Sequence, residues 1–278
     1  MVRTTYEHAD ELIAAIERRE ITLSYSSIKK FMESPRHFVD YKLEKHEPTP
    51  AMQEGKLVDY LLTEPERVPL EFAVLPPDCS LGSKVGVEAY AEFLGIDVPA
   101  WKDRSEVVNA ALEMDTRTFM TTEAMDRCKV IAEAVHTNPA SRWIVEAEGI
   151  NQHRLSFEAF GWTWRGARDK YVPEMFIADY KKTSDATPRR FHRQMLALRY
   201  PLQAALYTIG PGENLPYFLV AYDNDAHVSV TELTEVTMRQ AWDGLERTMD
   251  AFERCIALGE WNKSYDFWPS EDFGIYTY

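Results

Sequence analysis

Between residues 150 and 182 the apolar residues alternate with polar ones instead of recurring every three or four positions. Three short runs show this alternation, NQHRLSFEAF, WTWRGARD and MFIADYK, and they are separated by Phe160-Gly161 and Val172-Pro173. Alternating runs joined by turn residues predict an antiparallel meander of three strands. A sheet buries its apolar face against another layer, so we expect the rest of the chain to supply helices that flank this one.

Helical spacing is found on both sides of the meander. Segments with this spacing lie at residues 22–43, 51–68, 121–139, 187–210 and 234–261, and strand-like runs at 215–222 and 227–233. We expect the first helix to be capped near Ser24 to Ser27 and interrupted at Ser34-Pro35, and the fourth to break at Pro201. Residues 76–122 lack steady periodicity and predict a long loop or insertion with a short helix near 105–113. This order of elements predicts an α/β core with a mixed central sheet.

Two aspartates and a lysine close the last two strands of the predicted meander. Asp169 ends one run, and Asp179 and Lys181 lie near the end of the next, so a short turn can bring the two carboxylates together. Alternation directs Asp179 and Lys181 to one face, while Tyr180 points away and offers its carbonyl. Two carboxylates and a carbonyl form a hard oxygen site suited to Mg²⁺ or Mn²⁺. A lysine beside such an ion can orient water and stabilise charge on a phosphate.

The Asp-x-Lys tripeptide alone is weak, because about one is expected by chance in a chain of this length. Its context makes it more specific. Gly166 and Asp169 form a Gly-x-x-Asp pattern before it, an apolar strand leads into it, and a basic helix containing QAALY follows.

The charge of the chain is negative overall and uneven along its length. The net charge is −14, which argues against non-specific binding of nucleic acid by the whole surface. From residue 180 to 200, however, there are six Lys/Arg and one acid, whereas from residue 223 onward there are twelve Asp/Glu and four Lys/Arg. This distribution suits a polyanion held at one place. An ordinary solvated helix face would give the same pattern.

Cysteine spacing and hydropathy argue against a disulfide-rich, cysteine-ligated metal or membrane-spanning protein. Cys79, Cys128 and Cys255 lie far apart, so neither a disulfide framework nor a four-cysteine iron–sulfur or zinc site is expected, and we interpret them as reduced core residues. No stretch approaches the roughly 20 apolar residues of a membrane span, and the N-terminus lacks an apolar signal-peptide core. The cytoplasm of a bacterium or of a phage-infected host is therefore the expected location.

Taken together, the motifs resemble the PD-(D/E)XK nuclease superfamily, and more narrowly the catalytic domain of exonuclease VIII (RecE) and its phage relatives. The resemblance rests on the order Gly-x-x-Asp, Asp-x-Lys and Gln-x-x-x-Tyr, seen in WRGARD, IADYKKTSDATPRRF and RYPLQAALY. It extends to SYSSIKKFMESPRHF, LVDYLLTEPERVPLEFAV, TTEAMDRCKVIAEAVHTNPA and the closing GEW. The resemblance implies one nuclease domain over residues 1–278, with leading helices at 20–75, the insertion at 76–122, a catalytic core at 123–233 and a C-terminal helix and tail at 234–278.

The resemblance also implies roles for individual residues. Asp169, Asp179 and Lys181 would be catalytic, and the metal would be held by Asp59, Asp169, Asp179 and the carbonyl of Tyr180. The residues expected to contact DNA are Gln203, Tyr207, Lys182, Arg165, Arg168, Arg189, Arg190 and Arg193. For Gln203 and Tyr207 a partly buried helix face is the alternative, because polar–aromatic pairs four residues apart are common on helices. Trp162 and Trp164 are expected in the core, with stacking on a DNA end as the alternative.

One position departs from the family pattern. Where these relatives have a histidine in Gly-x-x-x-His-x-x-Leu, this chain has Asp59 after Gly55 and before Leu62. A third carboxylate would also bind Mg²⁺, so we expect Asp59 to replace the histidine. An exposed helix aspartate that weakens the site is the alternative. Relatives that hold an iron–sulfur cluster have a cysteine before the proline of the first helix, but here that residue is Ser34, so no cluster is expected.

The implied activity is a Mg²⁺-dependent exonuclease that degrades linear double-stranded DNA from 5′ to 3′. It would leave 3′ single-stranded overhangs for a single-strand annealing protein in phage or prophage recombination, and it would act at DNA ends as a homo-oligomer, a trimer or tetramer, without a membrane. A structure-selective or restriction-like endonuclease on the same core is one alternative. A catalytically inactive acidic DNA mimic or protein-binding module is another.

Overall fold

The secondary structure of the chain is mixed. The structure, a computed structural model, describes residues 6, 8–44, 47–80, 82–96 and 101–268. In chain order the helices of this part are α1 (Ala9–Glu17), α2 (Tyr25–Phe31), α3 (Pro35–Leu43), α4 (Pro50–Thr63), α5 (Val68–Glu71), α6 (Lys84–Leu94), α7 (Trp101–Met114), α8 (Thr122–Thr137), α9 (Pro139–Glu146), α10 (Pro188–Ala197), α11 (Tyr200–Thr208) and α12 (Glu235–Leu258). The strands are β1 (Phe72–Leu75), β2 (Thr118–Thr121), β3 (Ile150–Ala159), β4 (Trp162–Val172), β5 (Phe176–Lys182), β6 (Tyr217–Tyr222) and β7 (Val228–Leu233).

The central sheet has five strands in the order β3-β4-β5-β6-β7. β3, β4 and β5 form the predicted antiparallel meander, and β5 pairs with β6 in parallel, with Asp179 opposite Leu219. Parallel neighbours require a crossover, which α10 and α11 supply. β7 then returns antiparallel to β6. The α/β fold with a mixed sheet is therefore confirmed.

Helices cover both faces of this sheet, and each face has its own apolar cluster. One cluster joins β4, β5 and β6 to α1, α2, α3, α11 and α12 and includes Trp164, Ile177 and Phe252. The other joins the sheet to α4, α8 and α9 and includes Ala178 and Tyr180. Because strand side chains alternate, Asp179 and Lys181 point toward the face on which Ile177 lies.

Local signals place most helix ends where the sequence predicts them. The hydroxyl of Ser24 accepts the N–H of Ser27, and Ser27 returns the contact, which forms a capping box at the start of α2. Ser34 caps α3 directly before Pro35. The break in the helical segment 187–210 lies two residues before Pro201, at Arg199, which adopts a left-handed conformation with φ of 59°.

At residues 76–122 the helix predicted near 105–113 is confirmed as part of α7, but the prediction that the rest of this segment is irregular is wrong. This segment contains α6, α7 and β2, and β2 pairs in parallel with β1. Ser83 caps α6, and Gly95 ends it with φ of 66°. Among the described side chains of these helices, the buried apolar ones are Val87, Ala91 and Val108, which form a small cluster of their own. So few buried positions leave little periodicity in the sequence.

The structure also bears on two expectations about the cysteines and about membrane-spanning segments. Cys128 and Cys255 are buried core residues and Cys79 is partly exposed, and none of the three forms a disulfide. In the part of the chain described, no helix combines the length and apolar character that a bilayer span requires.

Candidate active site

The site lies where β4 and β5 separate. Backbone pairing between these strands ends at Lys170 and Ala178, one position short of the two aspartates. Past this last pair, Oδ2 of Asp169 accepts a hydrogen bond from the N–H of Tyr180 at 2.8 Å. A side chain of β4 thus replaces the next backbone hydrogen bond between the two strands. In a strand the N–H and C=O of one residue point to the same side, so the carbonyl of Tyr180 faces this opening as well. The structure therefore brings Asp169 next to the carbonyl that the sequence proposes as a ligand.

Asp179 and Lys181 form an ion pair in this opening. Their carboxylate and ammonium groups are in direct contact, and the side chains are 3% and 16% exposed. Although burial lowers the pKa of Lys181, the negative charges of Asp179 and Asp169 hold it above its ordinary value. The ring of Tyr200 lies 5.0 Å from the ammonium, so Lys181 is also fixed by a cation–π contact. Lys181 is thus a charged, well-held cation.

Three carboxyl groups influence one another electrostatically here, those of Asp59, Asp169 and Asp179, and we call them the carboxylate cluster. Burial raises the pKa of Asp169 well above its usual range, and the neighbouring charges of Asp179 and Asp59 add to that rise. Burial raises the pKa of Asp59 to about 7, which Lys181 opposes and Asp179 reinforces. Such shifts are typical of like charges crowded in a poorly hydrated site. Asp59 is therefore part of the cluster and is not an exposed helix residue.

The cluster has the donor set of a site for a hard divalent cation. Three carboxylates and one ammonium leave a formal charge of −2 when all are ionised, which one divalent cation would balance. Oδ1 of Asp59 is buried without a hydrogen-bond partner among the described residues, although a buried carboxylate oxygen normally has one. Carboxylate and carbonyl oxygens are ligands that Mg²⁺ and Mn²⁺ prefer. The chemistry of these donors therefore fits such an ion, although the potential ligand atoms of the three aspartates do not all lie within 4.8 Å of one another.

A second acidic group lies on the turn between β6 and β7. The potential ligand atoms of Asp223, Asp225 and His227 lie within 4.8 Å of one another. The buried carboxylate of Asp223 already accepts the N–H groups of Ala186, Asp225 and His227, each at 3.0 Å. Through these hydrogen bonds Asp223 stabilises the turn between β6 and β7 and the start of the crossover that precedes α10.

Gly166 and Tyr207 connect the cluster to α11. A β-carbon at position 166 would lie 2.5 Å from the ring of Tyr207, so only glycine allows this contact. Tyr207 is 6% exposed, which contradicts the prediction that it contacts DNA, since its ring is covered by β4. Its position indicates that it sets the distance between α11 and β4, while half-buried Gln203 remains a candidate DNA contact.

The prediction that Arg168 contacts DNA is also wrong. Its side chain is 1% exposed, and Nε donates to the carbonyl of Tyr207 at 3.0 Å. Nη1 forms an ion pair with Glu213 at 3.1 Å, and the guanidinium lies 4.6 Å from the ring centre of Tyr171. Every direction of the guanidinium is occupied by protein, so Arg168 anchors the end of α11 to β4.

The other predicted DNA contacts differ in how accessible they are. Lys182 is 17% exposed and is paired with Glu54, which also binds Arg127 at 2.5 Å. Because Glu54 is on α4, these pairs hold the helix that carries Asp59. The remaining basic residues are exposed: Arg165 on β4 and Arg189, Arg190 and Arg193 on α10. Arg190 is paired with Asp185 at 3.2 Å. Contact of the exposed residues with DNA stays a prediction.

Burial resolves the alternatives predicted for the two tryptophans, and hydrogen bonds confirm the cap predicted near Ser24 to Ser27. Trp162 and Trp164 are 1% and 0% exposed, so they belong to the core and do not stack on a DNA end. Ser24 and Ser27 are used in the capping box of α2.

Several residues of the site were missed by the sequence reasoning. Gln152, opposite Asp169 on β3, has φ of 48° and directs its amide to within 3.5 Å of Oδ1 of Asp169. No local sequence pattern predicts a glutamine with a left-handed backbone conformation within a strand. Lys29 on α2 is a second case: burial lowers its pKa, and the nearby charges of Lys30, Arg199 and Lys181 contribute. The basic segment at residues 180–200 could have suggested Arg199 as a residue of the site. Nothing in that segment indicates that Lys29 on α2 belongs there as well.

Comparisons with known proteins agree with this geometry. The sequence model of a family described as "PDDEXK-like domain of unknown function (DUF3799)" matches residues 24–266. No curated protein matches the sequence significantly. A crystal structure from Eubacterium rectale, described as a "putative exonuclease", superposes with a TM-score of 0.56 at 16% identity and covers 94% of this chain and 88% of that one. At this identity the likeness shows the fold alone. The family match spans most of the chain, including the whole carboxylate cluster and Lys181, and the chain therefore belongs to the family of PDDEXK-like domains of unknown function.

Proposed function

We propose that this protein is a metal-dependent nuclease that hydrolyses phosphodiester bonds of DNA. The observation that carries the proposal is the carboxylate cluster beside the ammonium of Lys181, set at the divergence of β4 and β5 in a PDDEXK-like domain. An inactive binding module has no need of crowded, poorly hydrated carboxylates that raise one another's pKa.

The residues divide the chemistry between them. A Mg²⁺ or Mn²⁺ ion held by Asp59, Asp169, Asp179 and the carbonyl of Tyr180 would supply a Lewis acid and a water of lowered pKa. Lys181, kept charged by its two aspartates, stabilises negative charge that develops on the scissile phosphate. Its contacts with Asp179 and Tyr200 fix the ammonium before the substrate arrives, so little reorganisation is required.

We further propose that the substrate is linear double-stranded DNA, degraded from its 5′ ends. The resemblance to the exonuclease VIII group and the exonuclease description of the E. rectale protein support an enzyme that acts at ends. The products would be 3′ single-stranded overhangs for recombination, passed to a single-strand annealing protein in the cytoplasm. A structure-selective or restriction-like endonuclease would use the same cluster, so the form of the DNA decides between them.

End-labelled substrates distinguish these activities. Linear duplexes labelled at the 5′ or the 3′ ends, and covalently closed circles, are incubated with Mg²⁺ or with EDTA. The proposal predicts early release of the 5′ label as short products, late release of the 3′ label, intact circles and no reaction in EDTA. Cutting of closed circles would replace the exonuclease by an endonuclease. Failure to cut any DNA with either Mg²⁺ or Mn²⁺ would refute the nuclease proposal.

We also propose that the enzyme works as a closed trimer or tetramer. A subunit with a net charge of −14 has little long-range attraction for DNA, so enclosing the duplex would offer another route to repeated cutting. The exposed arginines of α10 could then line the passage, with the acidic C-terminal part outward. Light scattering should report the oligomer, and excess unlabelled DNA should not stop digestion that has begun. A monomer at assay concentration would refute this arrangement.

A further inference from the structure

A cavity of about 440 Å³ opens between α2, α11 and α12, outside the carboxylate cluster. Its lining includes three arginines, Arg199, Arg247 and Arg254, and one acid, Asp250. Three positive charges and one negative charge give the lining a formal charge of +2, in a chain whose net charge is −14. Positive charge concentrated in a concave surface of an acidic protein favours an anionic ligand.

The guanidinium groups of this cavity form no ion pair with the residues that the structure describes. Among the described residues no carboxylate lies within 4.0 Å of Arg199, Arg247 or Arg254. By contrast, the helix arginines Arg142 and Arg239 each pair with a glutamate four residues away, at 2.8 and 2.9 Å. The guanidinium of Arg254 lies 5.6 Å from the ring centre of Phe267. Within the described part of the chain, the three arginines have no carboxylate partner, which leaves N–H donors available to a ligand.

The cavity adjoins the candidate active site through Arg199. The backbone of Arg199 is left-handed, with φ of 59°, and the hydroxyl of Tyr25 holds it by donating to its carbonyl at 2.6 Å. A non-glycine residue in this conformation costs about 1 kcal/mol or more, so the surrounding contacts must fix it. The next residue, Tyr200, lies with its ring 5.0 Å from Nζ of Lys181. The lining of the cavity is therefore adjacent in sequence to the residue whose ring contacts the catalytic lysine.

The remaining walls are apolar and aromatic. Met32, Leu202 and Trp268 line the cavity. At Gly244 a β-carbon would be 3.5 Å from Leu202 and 3.8 Å from Nη2 of Arg247, which places this guanidinium at the contact between α11 and α12. Guanidinium groups beside an aromatic wall match a ligand with a phosphate and a flat ring, and base–aromatic stacking contributes about 1–3 kcal/mol. The volume of about 440 Å³ falls in the usual range of small-ligand pockets.

We propose that this cavity binds one nucleotide of the DNA strand, with its phosphate on the arginines and its base against the apolar and aromatic wall. Because the cavity adjoins Lys181 through Arg199 and Tyr200, the bound nucleotide is a near neighbour of the one being cut. The inference rests on the proposed nuclease function and adds a second point of attachment for the substrate. Two such points fix the strand, so that the scissile phosphate is positioned at the carboxylate cluster.

Binding of DNA without catalysis tests the proposal. The variant Arg247→Gln with Arg254→Gln is compared with Arg142→Gln with Arg239→Gln, which removes the same charge from exposed helix arginines outside the cavity. Anisotropy of a fluorescein-labelled duplex is measured in EDTA over a range of salt concentrations. The cavity variant should bind about tenfold or more weakly, with a salt slope smaller by about 2, and the control should stay within about twofold of the parent.

Equal losses in both variants, or no loss in either, would overturn the proposal, because long-range charge alone would then explain binding. Arg247 and Arg254 are exposed on α12, so folding should be retained, and circular dichroism checks this. The pair Arg247→Lys with Arg254→Lys keeps the charge and should recover part of the affinity.

Competition separates a nucleotide site from a simple phosphate site. A deoxynucleoside monophosphate should displace the labelled duplex at a concentration at which inorganic phosphate does not, and equal competition by both would overturn the base pocket. If the parent cuts DNA but the cavity variant binds like the control, only the cavity inference fails. If the parent neither binds nor cuts DNA, the proposed function itself fails.

Discussion

The ring of Tyr207 occupies the space in which a side chain at residue 166 would begin. A β-carbon at Gly166 would lie 2.5 Å from Cε1 and Cζ of Tyr207 and 2.8 Å from its hydroxyl oxygen. This contact sets how closely α11 approaches β4, three residues before Asp169. The glycine of the Gly-x-x-Asp pattern is thus a packing requirement of the strand that carries a candidate metal ligand.

Gly166→Ala should therefore displace Tyr207 and lower the free energy of unfolding by about 1–3 kcal/mol, the usual cost of overpacking. Urea unfolding measures it. The matched control is Gly244→Ala on α12, where the new β-carbon would be 3.5 Å from Leu202, an ordinary contact. There alanine should leave stability unchanged or raise it by up to about 1 kcal/mol, because glycine is a poor helix former. Equal effects at the two positions would contradict this packing role.

Arg168→Met should destabilise the fold by about 3 kcal/mol, because it leaves the carbonyl of Tyr207 and the carboxylate of Glu213 without their buried donor. The control is Arg165→Gln, three residues earlier on β4 and exposed, which should change stability by less than about 0.5 kcal/mol. Denaturant midpoints of the two variants give the comparison. An Arg168→Met protein as stable as the parent would restore the possibility of an accessible, DNA-facing arginine.

Asp59→Ala should weaken binding of Mn²⁺ by about tenfold or more, since it removes the carboxylate whose buried Oδ1 lacks a partner. Isothermal titration calorimetry measures this, with Glu133→Ala, an exposed acid on α8, as the control of equal charge. Asp59→His should restore activity better with Mn²⁺ than with Mg²⁺, because imidazole is the softer ligand. Unchanged metal binding in Asp59→Ala would show that α4 contributes no ligand.

Asp223 should make stability depend on pH in the acid range. Burial alone would raise its pKa, but the N–H groups of Ala186, His227 and Asp225 stabilise the ionised form and hold the pKa below its ordinary value. The folded-state pKa is thus depressed, so the contribution to stability is present above about pH 4, the unfolded value, and is lost as pH falls through the folded pKa. Asp223→Asn should be clearly less stable than the parent at pH 6, and the difference should shrink toward pH 3.

Asp225→Asn, which removes an exposed carboxylate from the same turn, serves as the control for the pH experiment. Its stability should follow that of the parent across the whole range. A constant difference between Asp223→Asn and the parent from pH 6 to pH 3 would show that ionisation of Asp223 does not stabilise the turn.

The sheet and the centre of the site could be predicted from the sequence because both follow from local rules. Alternation in residues 150–182 determines the meander, and the meander brings Asp169 to Asp179 and sets Lys181 beside it. The same alternation predicts that the carbonyl of Tyr180 lies next to the carboxylates. These inferences needed no knowledge of contacts made by distant segments.

Other features depend on which distant segment covers a residue, and a linear pattern does not contain that information. Arg168 and Tyr207 are of residue types that commonly contact DNA, yet they are buried because α11 packs on β4. The charge of Lys181 influences the pKa of Lys29 only because the start of α2 docks on the residues before α11, through Tyr25 and Arg199. Helix α6 was missed, and the length of α7 was underestimated, because these two helices contribute few buried apolar positions.

The central claim is that the carboxylate cluster and Lys181 form a metal-dependent hydrolytic site. The most direct test is cleavage of a linear duplex by the parent, Asp179→Asn and Lys181→Ala side by side, with Mg²⁺ and with EDTA. We expect cleavage by the parent only when Mg²⁺ is present, and rates lower by about a thousandfold or more in both variants, whose cooperative unfolding shows that they are folded. Cleavage at the parent's rate by either folded variant, or by the parent in EDTA, would contradict it.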